Sequence, residues 1–136
     1  MRYKSAFLAF WLLGILFPMA WFTRFSAIYS WLSGYVFTSV WTHVVMHTFL
    51  FAVLAYLLGH VLARWPAACS TRYLVGAVLA SVLGVALLQE GIQLLYTAQA
   101  PGIDEVLDLG VDLIGGVLGV IAFRWQARRG HRRAPG

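Results

Sequence analysis

The fourth apolar run of the chain, residues 106–123, reads VLDLGVDLIGGVLGVIAF. A run of this length is sufficient for a helix that crosses a bilayer, which needs roughly 17–25 residues. It nevertheless contains Asp108 and Asp112, which are four positions apart and therefore share one helical face. Gly115 and Gly119 form a G-x-x-x-G motif, which predicts close packing against another helix. The acids inside this run are the first candidates for a functional site.

The composition of the whole chain is that of an integral membrane protein. The 136 residues are 61% hydrophobic and only 11% charged, with a mean hydropathy of +0.78. Soluble domains carry about 25% charged residues, so this chain cannot cover a water-facing surface. The length allows one domain, residues 1–136, and no separate soluble domain. The single cysteine, Cys69, excludes an internal disulfide framework.

Apolar runs, turn signals and flanking cations predict an all-α membrane protein. Pro101-Gly102 predicts a turn between the last two spans. Residues 23–42 interleave aromatic side chains with serine and threonine, which favours an interfacial or re-entrant segment at the outer surface. The N-terminal span is interpreted as an uncleaved anchor, since no convincing cleavage site follows it. The four predicted transmembrane helices are residues 6–22, 43–62, 73–96 and 106–123.

The distribution of charge predicts the orientation. Of the ten cations, all except Arg24 lie at the N-terminus, around residues 64–72, or in residues 124–136. Short cytoplasmic loops carry an excess of Lys and Arg, so both termini are predicted to be cytoplasmic, with residues 124–136 as a basic cytoplasmic tail. Cations at helix ends suit anionic lipid head groups. We therefore expect membrane lipids as partners and no nucleic acid.

Polar side chains of three spans are predicted to meet at one depth near the outer surface. Each span contributes two of these polar residues, which lie three or four positions apart in the sequence and hence on one helical face. An aspartate in hydrocarbon costs roughly 2.5–3.5 kcal/mol, and no Lys or Arg lies within the predicted spans. The acids must therefore be protonated, paired with a histidine, bound to a metal or facing a wet cavity. The candidate binding residues are His43, His47, Glu90, Gln93, Asp108 and Asp112.

Structural roles remain open for single members of this set. Asp108 could cap the N-terminus of the fourth helix, and a histidine in a helix is often a hydrogen-bonded packing residue. Asp104 and Glu105 are predicted to lie in the outer loop. His60 is predicted to lie at the opposite, inner surface.

The paired histidines on the second span are a candidate metal site. His43, His47 and a carboxylate offer nitrogen and oxygen ligands. However, the H-x-x-x-H pair lacks the inner glutamate of the zinc-protease motif. Two histidines on one helix face also do not suit bis-histidine haem. We therefore predict no metal and no cofactor, and assign no catalytic residue.

Three segments between residues 43 and 119 carry polar motifs in a fixed order. The second span contains HTFLF at residues 47–51, and the third contains EGIQ at residues 90–93. The fourth contains DLGVDLIG at residues 108–115, followed by Gly119. These segments resemble the H-x-x-x-[FY], E-x-x-Q and D-x-x-x-[ND]-x-x-G-x-x-x-G motifs of the VanZ-like family of small bacterial membrane proteins.

Two positions differ from that family. Val44 stands where a lysine often precedes the motif histidine, and Gly102 stands where an arginine often precedes the aspartates. The cations that would pair with the acids are thus missing. We expect His43 to serve as the local cation instead.

The resemblance implies a role in the cell envelope at the bacterial inner (plasma) membrane, including glycopeptide-antibiotic tolerance, but no known reaction. The leading hypothesis is an outward-opening polar pocket that binds a polar lipid or saccharide head group, such as a lipid-linked saccharide or a glycopeptide. An enzyme could instead use His47 as a base, with Glu90 or Asp112, on a lipid-linked phosphate or saccharide. A structural subunit of a membrane complex, or a homo-oligomer, is the third alternative.

Overall fold

A computed structural model of the chain describes residues 2–16, 27–28, 31, 34, 39–65, 70–98, 100 and 102–132. These residues form four α-helices and contain no β-strand, which confirms the predicted all-helical class. The helices are α1 (Arg2–Leu16), α2 (Val40–Leu62), α3 (Thr71–Thr97) and α4 (Ile103–Arg132).

Three of the four helices have the length and composition of membrane spans. The apolar stretches of α2, α3 and α4 each exceed the minimum needed to cross a bilayer. The described part of α1 is a shorter apolar helix that ends at Leu16. Residues 17–22 of the first predicted span therefore lie outside the described part of the chain.

The predicted interfacial segment, residues 23–42, is described only in part. Residues 27, 28, 31 and 34 are helical and exposed, and most of the remainder lies outside the described residues. Residues 40–42 belong to α2, so the prediction placed the start of this helix three residues too late. The extended backbone of Ser39 marks the start of the helix, and its carbonyl accepts hydrogen bonds from the amides of Thr42 and His43.

The start of α4 corrects a second prediction. Asp104 and Glu105 lie in the first turn of the helix and not in a loop. The Glu105 carboxylate accepts a hydrogen bond from the Gly102 amide at 2.6 Å, as the third residue of a helix does in a capping box. Acidic side chains are also stabilised by the helix dipole at this end. These contacts start α4 at Ile103, three residues before the predicted span.

The basic residues predicted as a tail extend α4. The helix continues without interruption from Phe123 to Arg132. Within this extension the Arg129 guanidinium lies 3.4 Å from the centre of the Trp125 ring, in a cation–π contact. The described part of residues 124–136 is thus a helical continuation of the span.

Helices α2 and α4 run parallel and approach each other closely through small residues. A methyl group at Gly115 would lie 2.5 Å from the Thr48 carbonyl oxygen, and one at Gly119 would overlap the Ala52 carbonyl. From the first contact to the second, the residue number increases by four on both helices, so the two helices run in the same direction. The structure confirms that the G-x-x-x-G motif allows close helix packing.

Helix α3 packs against the other two in the opposite direction. Its Val82 side chain lies against Gly116 of α4. Large apolar side chains from α2 and α3 form the centre of the bundle and are fully buried, notably Phe51, Leu54, Val78 and Val82.

Helix α1 is attached to the side of α2. The Trp11 indole N–H donates a hydrogen bond to the Leu50 carbonyl oxygen at 3.0 Å. Leu8 and Ile15 are the buried side chains that α1 adds to the core.

The outer surface of the bundle is apolar, since many large hydrophobic side chains are exposed there, among them Phe49, Leu87, Leu88, Ile114 and Ile121. Such a surface suits lipid and is unfavourable in water.

We predict that Gly119→Ala lowers the melting temperature of the purified protein in detergent, because the added methyl group forces α2 and α4 apart. Overpacking of this kind costs about 1–3 kcal/mol or more. Gly110→Ala is the matched control on the same helix, since nothing lies within 4 Å of a methyl group there. Gly110→Ala should leave the free energy of unfolding unchanged or raise it by up to ~1 kcal/mol. Equal effects of the two substitutions would contradict the described α2–α4 contact.

Candidate functional site

Two histidine–aspartate pairs join α2 to α4 at one end of their contact. His47 Nδ1 lies 2.9 Å from Asp112 Oδ1, and His43 Nε2 lies 3.0 Å from Asp108 Oδ1. Because both helices run in the same direction and each pair is separated by four residues, the pairs stack one turn apart. The two imidazole rings lie against each other, with 4.3 Å between their centroids.

The geometry corrects the alternative that Asp108 caps α4. The helix begins at Ile103, so Asp108 lies in its second turn, beyond the unpaired amides that a cap would satisfy. Its carboxylate faces His43 of the neighbouring helix. The expected pairing of His43 with an acid is thus present in the structure.

The two pairs differ in burial. The side chains of His47 and Asp112 are 10% and 0% exposed, whereas those of His43 and Asp108 are 31% and 18% exposed. The pair of His47 and Asp112 therefore lies inside the bundle, and the other pair lies one turn closer to its surface. A buried polar pair of this kind is stable only when both members keep their hydrogen bond.

Helix α3 adds a third acid beside these pairs. Glu90 is 4% exposed and lies within the range of direct charge–charge interaction with Asp108, His47 and Asp112. Neither of its carboxylate oxygens has a hydrogen-bond partner among the described residues, and the same holds for Asp112 Oδ2 and Gln89 Oε1. A buried acceptor left without a donor costs about 1–3 kcal/mol. The two Glu90 oxygens and Asp112 Oδ2, here called the acceptor cluster, thus require either a donor from outside the described residues or a proton on the carboxyl group.

The remaining member of the predicted set is Gln93. Gln93 lies one turn beyond Glu90 on α3, and its side chain is exposed. Gln89 was not predicted, although its side-chain oxygen is also buried without a hydrogen-bond partner among the described residues. Its position next to Glu90 in the sequence was the available signal.

A second polar contact joins α2 and α4 at the opposite end. The Tyr56 hydroxyl donates to Gln126 Oε1 at 2.6 Å, and His60 Nε2 lies 2.9 Å from the same oxygen. The His60 ring also contacts the Phe123 ring edge to face. Gln126 was missed because the sequence placed it in a tail, whereas it lies on the helical extension of α4. Gln126 is exposed, Tyr56, His60 and Phe123 are half-buried, and the group stands apart from the acceptor cluster.

The charges at the acceptor cluster favour a particular class of ligand. Three carboxylates and two imidazoles converge there, while the described residues of that end contribute no Lys or Arg. Carboxylates accept hydrogen bonds and attract cations. The arrangement therefore suits hydroxyl groups, ammonium groups or a metal ion, and it does not suit an isolated anion.

The chain matches no known family model, no curated protein and no solved structure. The resemblance to the VanZ-like family therefore stays a prediction.

Proposed function

We propose that this protein resides in the bacterial inner membrane and binds a polar head group of a lipid or lipid-linked saccharide between α2, α3 and α4. The observation that carries the proposal is the buried acceptor cluster around Glu90, whose oxygens have no donors among the described residues. Sugar hydroxyls and primary ammonium groups are hydrogen-bond donors of the kind these oxygens require. The binding free energy comes from satisfying acceptors that are otherwise costly to bury.

The alternative enzyme that acts on a lipid-linked phosphate has less support. Phosphate recognition in proteins relies on Arg and Lys, which supply charge-assisted hydrogen bonds. The described residues around Glu90 and Asp112 include neither. A saccharide needs no Arg or Lys for its recognition, so it fits the negatively charged carboxylates of the site better than a phosphate does.

A purely structural role explains only part of the cluster. The two histidine–aspartate pairs can hold α2 against α4, as interhelical hydrogen bonds do in membrane proteins. Glu90 forms no such bond with the described residues, although its burial is costly. Head-group binding accounts for Glu90 as well as for the pairs.

The cations of the helices support an outward position of the site in an N-in, C-in topology. Arg64 follows α2, Arg72 lies at the start of α3, and Arg128 lies near the end of α4. Because α3 runs opposite to α2 and α4, these cations share the end of the bundle that is opposite to the acceptor cluster. By the positive-inside rule, this distribution of cations supports a position of the cluster in the outer half of the bilayer.

The role in the cell envelope, including glycopeptide-antibiotic tolerance, is part of the same proposal and rests on the VanZ-like resemblance of residues 43–119. A saccharide-binding site that faces outward is compatible with such a role. A homo-oligomer or a larger membrane complex is also compatible, since the outer surface of the bundle is apolar.

The topology predicts the behaviour of reporter fusions. Alkaline phosphatase, which is active only outside the cytoplasm, should be active when fused after Gly102 and inactive when fused after Arg132. A fluorescent protein that folds only in the cytoplasm should give the reverse result. Phosphatase activity after Arg132 would place the cations outside and contradict the orientation.

The head-group proposal predicts a specific loss of ligand stabilisation in Glu90→Gln. In nanodiscs, a polyprenyl-linked saccharide should raise the melting temperature of the wild-type protein, and the corresponding polyprenyl phosphate without sugar should not. Glu90→Gln removes one carboxylate acceptor and should reduce saccharide affinity at least about tenfold, the equivalent of one charge-assisted hydrogen bond.

Glu105→Gln is the matched control, because this carboxylate lies in the first turn of α4 and caps the helix. The melting temperature of the Glu105→Gln variant should still rise when the polyprenyl-linked saccharide is added. A response that depends on the phosphate alone, or one that survives in Glu90→Gln, would overturn the proposal.

A further inference from the structure

We propose that His43, His47 and Asp108 bind a divalent transition-metal ion, with Zn²⁺ as the preferred metal. Each residue offers one ligand atom, and these atoms all lie within 4.8 Å of one another. Two imidazole nitrogens and one carboxylate oxygen form a common ligand set of zinc sites that keep a fourth position open. This inference goes beyond head-group binding and does not depend on it.

The hydrogen bond between His47 and Asp112 prepares the imidazole for a metal. Asp112 contacts Nδ1 at 2.9 Å, which leaves Nε2 as the ligand nitrogen. Metal-binding histidines usually donate their other ring N–H to a carboxylate, which fixes the tautomer and the ring orientation. The fully buried Asp112 is thus a positioning residue and not a ligand.

The second observation is the excess of negative charge around these ligands. Glu90 is almost completely buried, has no hydrogen-bond partner among the described residues, and interacts electrostatically with Asp108 and Asp112. Carboxylates this close repel one another unless a cation or protons compensate them. A divalent ion beside Asp108 supplies that compensation where the described residues supply no Lys or Arg.

The distances fit a metal after a small adjustment of the His43 and Asp108 side chains. Bonds of about 2.0–2.1 Å in a tetrahedral site place ligand atoms about 3.3 Å apart. His43 Nε2 and Asp108 Oδ1 already lie 3.0 Å apart. The remaining separations, up to 4.8 Å, shorten when the more exposed side chains of His43 and Asp108 rotate toward His47, whose ring Asp112 holds in place.

The proposal reverses the expectation of no metal, which came from comparing the H-x-x-x-H pair with a protease motif on one helix. In the structure the third ligand, Asp108, comes from α4 and lies 65 positions further along the chain than His43. Only the parallel contact of α2 and α4 brings these residues together.

The test is metal binding by the purified full-length protein, prepared with a tag that contains no histidine. After treatment with a chelator and equilibration with Zn²⁺, elemental analysis should find about one zinc ion per chain in the wild type. His47→Ala should lose at least nine tenths of this zinc. Asp112→Asn should weaken zinc affinity about 10–100-fold, as expected for a residue that orients a ligand.

His60→Ala is the matched control, because it removes a histidine from the same helix at the end that contacts Gln126. It should bind zinc as the wild type does. If His47→Ala proves unfolded by size-exclusion chromatography, Asp108→Asn at the more exposed pair replaces it. Co²⁺ should give visible absorption bands of a tetrahedral nitrogen–oxygen site in the wild type and not in the ligand variants.

A wild-type protein that retains less than about a tenth of a zinc ion per chain after loading would overturn the proposal. Equal loss of zinc in His60→Ala and His47→Ala would also overturn it, because the bound zinc would then be non-specific. These measurements need no lipid ligand, so the metal site and the head-group site can fail independently.

Discussion

The rest of the structure depends on the close approach of α2 and α4. Apolar surfaces give little driving force for helix association within lipid, so small residues and interhelical hydrogen bonds become decisive. Gly115 and Gly119 let the two backbones meet at Thr48 and Ala52. That approach brings His47 within 2.9 Å of the carboxylate on α4. A larger residue at either glycine would separate the groups that form the site.

The parallel contact also determines what α3 contributes. Since α3 runs in the opposite direction, its Val82 meets Gly116 in the middle of the bundle. Two further turns along α3 bring Glu90 to the level of Asp108 and Asp112. Three helices thereby place acids at one end, while the cations after α2, before α3 and late in α4 lie at the other. The separation of charge along the sequence becomes a separation in space.

Much of this arrangement was predictable from local patterns, and the exceptions have physical reasons. Hydrophobic length predicts four transmembrane helices, three of which have the length and composition of membrane spans in the structure, and spacings of three or four residues predict the shared faces of the polar side chains. Which histidine meets which aspartate depends on register, which Gly115 and Gly119 set across two helices. The sequence allowed Asp108 to be interpreted as a helix cap, because the true start of the helix at Ile103 depends on a hydrogen bond between Gly102 and Glu105 that the sequence does not show. The burial of the Gln89 side-chain oxygen depends on how α3 packs in the bundle, and its position next to Glu90 was the available sequence signal.

The most direct test of this account is a double-mutant cycle of His47→Ala and Asp112→Ala, measured by unfolding in lipid or detergent. The account predicts a favourable coupling free energy of about 1–2 kcal/mol, since each group loses its partner when the other is removed. The pair of His43 and Asp108, which is more exposed, should show a smaller coupling. Additivity of the two substitutions within about 0.5 kcal/mol would show that His47 and Asp112 do not interact, and it would contradict the account.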